Sequence, residues 1–185
     1  MPDLRAQLNT ALKGRVCLVG IGNVELGDDG FGVRLAEALA HVGQTSPRIS
    51  VVIADTSPEL WVNRLSHDLF DHVIFLDAVH FSGAPGSVVW LNASEIWARF
   101  PQVSTHKLSL SLLAGMVESN HHSRAWLLGV QPLSLKPGAA LSEPVQTTLV
   151  LLRDLLASLI VPQSRNAMDV WQARMPAVEM ENLKP

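Results

Sequence analysis

The 185-residue sequence predicts a single α/β domain, a three-layer αβα sandwich built on a twisted, mainly parallel five-stranded sheet. Three observations carry that expectation. Short apolar runs alternate along the chain with stretches of helical periodicity, the pattern of successive β–α units. Those runs are apolar throughout, as strands covered on both faces are. Hydrophobic residues make up 48% of the chain and charged residues only 17%, ample for such a core and unlike a disordered chain.

Taken in order, Val16-Cys17-Leu18-Val19 is a short apolar run bounded by glycines and reads as the first strand. From Phe31 to His41, Val33, Leu35, Ala36 and Leu39 are apolar while Arg34 and Glu37 are polar, which is helical spacing. Ile49 to Ala54 is the second strand. Pro58-Glu59-Leu60-Trp61 opens a second helix, with Pro58 in its first turn and Ser57 placed as N-cap. His72 to Leu76 is a third buried strand. Pro85-Gly86 then introduces a short strand, Ser87 to Leu91, in a region that reads as hairpin-like. A short helix from Ala93 to Arg99 stops at Pro101, and a longer one runs from about His106 to Ser119. Ala125 to Val130 is the fifth strand. Glu143 to Ile160 is the closing helix, with Val145, Leu149, Leu152, Leu156 and Ile160 at helical intervals. From Pro162 the sequence turns polar and aperiodic, a tail expected to be disordered or docked by Trp171.

Charge and cysteine content narrow the chemistry. With 14 basic and 17 acidic residues the net charge is −3, so the chain lacks the basic footprint that nucleic-acid binding needs. One cysteine, Cys17, excludes an internal disulfide, a multi-cysteine zinc site and an iron–sulfur cluster within one chain. Any metal must be held by carboxylate, imidazole or backbone groups. The N-terminus has no signal-peptide pattern, and the longest apolar stretch, Val145 to Val161, is interrupted by Arg153 and Asp154. The expected setting is the cytoplasm, with no membrane partner.

In sheets of this class ligands bind beyond the carboxyl ends of the strands. After the first strand comes Gly20-Ile21-Gly22-Asn23-Val24-Glu25-Leu26-Gly27-Asp28-Asp29-Gly30, after the third Asp77-Ala78-Val79-His80, and before the fourth helix Ser104-Thr105-His106. Carboxylates and a histidine therefore share one rim. The glycine loop does not match G-x-G-x-x-G, and Glu25, Asp28 and Asp29 would repel a pyrophosphate, so a cation suits it better than an anion. Taken singly, each residue has a structural explanation. The Asp28-Asp29 pair can cap a helix, though one Asp suffices; Asp77 can bond turn amides; His106 can be a helix-start residue. Asp77 follows four apolar residues, where an unpaired carboxylate is costly, and this draws it toward function.

Other candidates fall away. Asp55-Thr56-Ser57 resembles the D-T/S-G of pepsin-like proteases but lacks the glycine, and neither G-x-S-x-G nor H-E-x-x-H occurs. His121-His122 reads as an exposed turn, Cys17 as inert packing, and His80 as a reserve ligand only, since strand alternation turns it from Asp77.

Several motifs occur in register. Val19-Gly20-Ile21-Gly22-Asn23 with Leu26-Gly27-Asp28-Asp29-Gly30-Phe31-Gly32-Val33 resembles the opening motif of the [NiFe]-hydrogenase maturation proteases. Phe75-Leu76-Asp77-Ala78 is similar to their third-strand motif, Ser104-Thr105-His106-Lys107-Leu108 to their histidine motif, and Leu128-Gly129-Val130-Gln131-Pro132 to their late Gly-x-Gln-Pro turn. Thr56-Ser57-Pro58-Glu59 resembles the second loop of the subgroup serving formate-hydrogenlyase-type hydrogenases. The resemblance covers about residues 15–160, and implies a leader over 1–14, a peptidase domain over 15–161 and a polar tail over 162–185.

What the resemblance implies is an aspartic-type endopeptidase, expected to be a monomer, that removes the C-terminal extension of the hydrogenase large-subunit precursor after nickel insertion. Asp29, Asp77 and His106 are the implied ligands of nickel carried by the substrate, or of a surrogate cation, and Asp29 and Asp77 the implied catalytic residues. Asp29 stands where many relatives have Glu. Glu25 replaces a usually apolar residue, and the second loop lacks Asp-Gly-Gly-Thr, so Asp55 inherits no role. The competing expectations are a nickel-sensing chaperone that docks without cutting and, further off, a nucleotide-dependent α/β enzyme.

Overall fold

β1 (Val16–Ile21) is buried along its whole length, as its unbroken apolar run requires. The structure, a computed structural model, describes residues 3–68, 70–100, 109–119 and 121–161. Around β1 lie β2 (Ile49–Asp55) and β3 (His72–Ala78), followed by β4 (Val88–Asn92) and β5 (Arg124–Val130), in the spatial order β2-β1-β3-β5-β4. β1 pairs in parallel with β2 and β3, and β3 in parallel with β5; only β4, at the edge, runs antiparallel. The expected mainly parallel five-stranded sheet is present.

Side-chain alternation along the strands sorts the core into two layers. Val16, Leu18, Ile74, Leu76 and Leu128 pack under α1 (Leu4–Ala11), α2 (Phe31–Gln44) and α6 (Glu143–Ile160), which supply Leu8, Phe31, Leu35, Leu39, Leu149 and Leu156. Cys17, Val19, Val73, Phe75 and Leu127 pack on the other face, under α3 (Val62–His67), α4 (Ala93–Arg99) and α5 (Leu110–Glu118), which supply Leu65, Ile96, Leu113 and Val117. These are the three layers of the sandwich. No described helix is long and apolar enough to cross a membrane.

Several elements differ from the sequence reading. The sequence places only a leader over 1–14 before the first strand and no element within it, yet Asp3 caps α1 by accepting the Ala6 N–H at 2.7 Å, and Leu8 is fully buried. Ser57 gives its turn no side-chain hydrogen bond, and Pro58–Trp61 is a 3₁₀ turn leading into α3. β4 makes no hairpin with β3. Residues 79–87 intervene, far more than the two to five of a tight hairpin, and they carry the chain past β5 to its outer edge. α5 starts at Leu110, not near His106, because the Ser109 hydroxyl accepts the Leu112 N–H and caps it there. His106 and the tail from residue 162, with Trp171, lie outside the described residues.

Candidate active site

Close backbone packing at the carboxyl ends of β1 and β3 builds the site. A Cβ on Gly32, in the first turn of α2, would collide with the carbonyl oxygens of Leu76 in β3 and Ile21 in β1. Only glycine lets the start of α2 descend this far onto the sheet. Gly22, just beyond β1, has φ 136° and a Cβ there would strike the Asp29 carbonyl oxygen. The 3₁₀ turn Gly27–Gly30, which bears both aspartates, is thereby pressed against the strand ends.

The two adjacent aspartates part company here. Asp28 is fully buried and points away into the segment after β5. Its Oδ2 accepts from Leu133 N (2.8 Å), Ser134 N (3.0 Å) and Ser142 Oγ (2.8 Å), and its Oδ1 from Ser142 N at 2.6 Å. Burial pushes this carboxyl up, but the hydrogen bonds from Ser142, Ser134 and Leu133 outweigh that and hold its pKa below the ordinary 3.8. Asp28 is a structural clamp between the glycine loop and residues 133–142.

Asp29 and Asp77 form the other arrangement. Asp29 is 4% exposed, and its Oδ2 accepts the Asn23 N–H at 2.8 Å. Asp77, the penultimate residue of β3, is 3% exposed, and its Oδ1 accepts the Ala78 N–H at 2.8 Å. Burial, and then the charge of Asp29, raise the Asp77 pKa well above 3.8; the Ala78 N–H opposes them without prevailing. Asp77 therefore holds its proton to a higher pH than an ordinary aspartate, because it is buried and lies in the field of a second buried carboxyl. The Asn23 amide, a donor that an anionic ligand on a glycine loop would need, is already taken by Asp29.

Other residues singled out from the sequence take lesser places. Glu25 is exposed; its backbone joins the loop through bonds to Asn23 Oδ1 and Gly138 N. Asp55, at the end of β2, is exposed in a left-handed conformation (φ 55°), its carbonyl accepting the Gly22 N–H. His121 and His122 are exposed in a turn, as expected. Cys17 is buried in β1, and that burial, opposed by Arg64 and aided by Asp68, pushes its thiol up to about 12, which makes it inert packing. His80 is exposed but tied to Gln131. Among the described residues no three His, Cys, Asp or Glu side chains are grouped to hold a metal, and the expected third ligand, His106, lies outside them. The sequence reading missed the Asp28 clamp and the anchoring by Gln131; the Gly129-Val130-Gln131-Pro132 motif was the available signal for the second.

Comparison with known proteins agrees with the motifs. The family model described as hydrogenase maturation protease, HycI, matches residues 33–158, beginning just after the glycine loop. The hydrogenase 2 maturation protease of Escherichia coli strain K12 is 30% identical over 139 residues, covering 73% of this chain and 84% of its own. The hydrogenase expression/formation protein HupD of Rhizobium leguminosarum bv. viciae is 28% identical over 137 residues, 71% of this chain and 67% of its own. Among solved structures, the [NiFe] hydrogenase maturation protease HycI of Thermococcus kodakarensis KOD1 superposes with a TM-score of 0.74 at 30% identity, over 83% of this chain and 98% of that one. The hydrogenase maturating endopeptidase HybD of E. coli does so with a TM-score of 0.63 at 27% identity, over 77% and 87%.

Proposed function

The chain belongs to the hydrogenase maturation protease family, and from that premise we propose that it cuts the C-terminal extension from a [NiFe]-hydrogenase large-subunit precursor once nickel is in place. The observation that carries this reading is the pair of buried carboxyls, Asp29 and Asp77, electrostatically coupled at the carboxyl edge of the sheet.

The pair suits proton transfer. Asp77 keeps its proton to a higher pH than an ordinary aspartate because it is buried and because Asp29 is charged nearby. A carboxyl tuned upward is a better acid or base near neutral pH. Asp29, oriented by the Asn23 N–H, is the partner that takes a proton from the attacking water. Asp77 then delivers a proton to the departing amine.

Nickel enters as part of the substrate. The carboxyl groups of Asp29 and Asp77 and an imidazole, His106, form an oxygen and nitrogen set that leaves coordination positions open. Such a set can meet a nickel ion still held by the precursor's own cysteines, so the enzyme recognises only loaded precursor. The test is the precursor's mass after incubation, with and without nickel, with wild type and with Asp29→Asn, Asp77→Asn and His106→Ala. Cleavage of loaded precursor by wild type alone is expected. A precursor that binds but keeps its full mass would instead mark a chaperone.

A further inference from the structure

Gln131 follows the last residue of β5, is 6% exposed, and uses every hydrogen-bonding group it has. Its backbone N–H donates to Ser87 O and its carbonyl accepts from Gly86 N, both at 2.9 Å. Its side-chain Oε1 accepts from Phe81 N at 2.9 Å and Gly83 N at 3.2 Å. Its Nε2 lies 3.1 Å from His80 Nδ1 and 3.3 Å from Pro132 O. Between the two amides that converge on Oε1, Ser82 is left-handed (φ 64°), a conformation that serine keeps only where its surroundings impose it. One buried amide therefore sets the shape of the loop that follows Asp77.

These contacts settle which nitrogen of His80 carries the proton. Backbone N–H groups can meet only an acceptor, so the amide oxygen of Gln131 faces the loop and its NH₂ faces the imidazole. A ring nitrogen facing an NH₂ donor is the unprotonated one. Nδ1 accepts and Nε2 bears the hydrogen. In this tautomer Nε2 has no lone pair for a metal, so His80 is not a reserve ligand. The exposed ring instead offers an N–H donor. Being three residues beyond Asp77, it stands within about 10 Å of that residue along the chain.

We propose that His80, held by Gln131 as the Nε2–H tautomer, binds the substrate polypeptide by donating to a backbone carbonyl oxygen of the segment lying across the Asp77 rim. The proposal rests on the endopeptidase reading above. A neutral donor suits a neutral acceptor, and a carbonyl is one that any extended chain presents whatever its sequence. Gln131 is a positioning residue and acts through the ring.

Two readouts test this. Long-range ¹H–¹⁵N correlation spectra of the free protein at pH 8 should show a pyridine-type Nδ1 and a pyrrole-type Nε2 for His80. Gln131→Glu keeps an oxygen for the Phe81 and Gly83 amides but turns an acceptor toward the ring, so the proton should move to Nδ1. In cleavage of nickel-loaded precursor, His80→Asn lacks the distal donor and should raise KM about three- to tenfold with kcat little changed. His80→Gln restores a donor near the Nε2 position and should recover most of the KM, and Gln131→Glu should behave like His80→Asn. A pyrrole-type Nδ1 in wild type, or His80→Asn with the KM of an active wild type, overturns the assignment. Wild type that cleaves nothing overturns the endopeptidase reading itself, while the spectra still report the tautomer.

Discussion

Asp28 and Asp29 are neighbours in sequence, and replacing Asp28 separates the clamp from the residue proposed to be catalytic. The Asp28 carboxylate is fully buried and accepts four hydrogen bonds, three at Oδ2 and one, the shortest at 2.6 Å, at Oδ1 from Ser142 N. Asp28→Asn keeps the shape but has one oxygen. That oxygen takes the Oδ2 side, where three donors converge, and the new NH₂ then faces the Ser142 N–H. An unpaired buried donor costs about 1–3 kcal/mol. At roughly 2–4 °C per kcal/mol for a chain of this size, Tm should fall by about 5 °C. Asp28→Ala strands all four donors and should cost about 4 kcal/mol or more. The folded pKa lies below 3.8, so the stabilisation is complete above that value and is lost as pH falls toward the folded pKa. The gap between wild type and Asp28→Asn should therefore close below about pH 4. Urea denaturation from pH 3 to 8 measures this, alongside precursor cleavage normalised to folded protein. Folded Asp28→Asn should cut close to the wild-type rate. Unchanged stability with lost cleavage would refute the reasoning and move Asp28 into the catalytic pair.

Two further variants test the packing that makes the site. Asp77 has its pKa raised in the fold, so its contribution is fully present below 3.8 and is lost as pH rises through the folded pKa. Asp77→Asn should accordingly melt above wild type at pH 7.5, lose that advantage toward pH 4, and fail to cleave; melting below wild type at pH 7.5 counts against burial, and then Asp29, as the cause of the raised pKa. In Gly32→Ala the new Cβ meets the Leu76 and Ile21 carbonyl oxygens, which are backbone and cannot turn aside. A loss of about 3 kcal/mol in urea denaturation is expected, with cleavage falling in the protein that remains folded.

Much of the fold could be read directly because strand and helix periods differ and the core strands are apolar on both faces. The run Val16 to Val19, which lies in β1, and the helix Glu143–Ile160 are such cases. What stayed hidden depends on long-range partners. α1 is short, and its burial of Leu8 becomes evident only once α6 lies beside it. The strand read as Ser87 to Leu91 is present as Val88–Asn92, but its partner was not legible, because nothing local distinguishes pairing with β3 from pairing with β5. Asp77 was legible as a carboxylate after an apolar run. The difference between Asp28 and Asp29 was not, since the donors that claim Asp28 lie more than 100 residues away, at Leu133, Ser134 and Ser142. The family motif pointed to Asp29, and the geometry now supplies a physical reason to separate the two.

The proposed reaction is the cutting of a nickel-loaded precursor by this chain with Asp29 and Asp77. Its most direct test is the intact mass of hydrogenase large-subunit precursor, loaded with nickel or free of it, after incubation with wild type, Asp29→Asn and Asp77→Asn. Loss of the C-terminal peptide is expected only with wild type and only from loaded precursor. Cleavage by both variants at the wild-type rate, or a loaded precursor left at full mass by wild type, would contradict it.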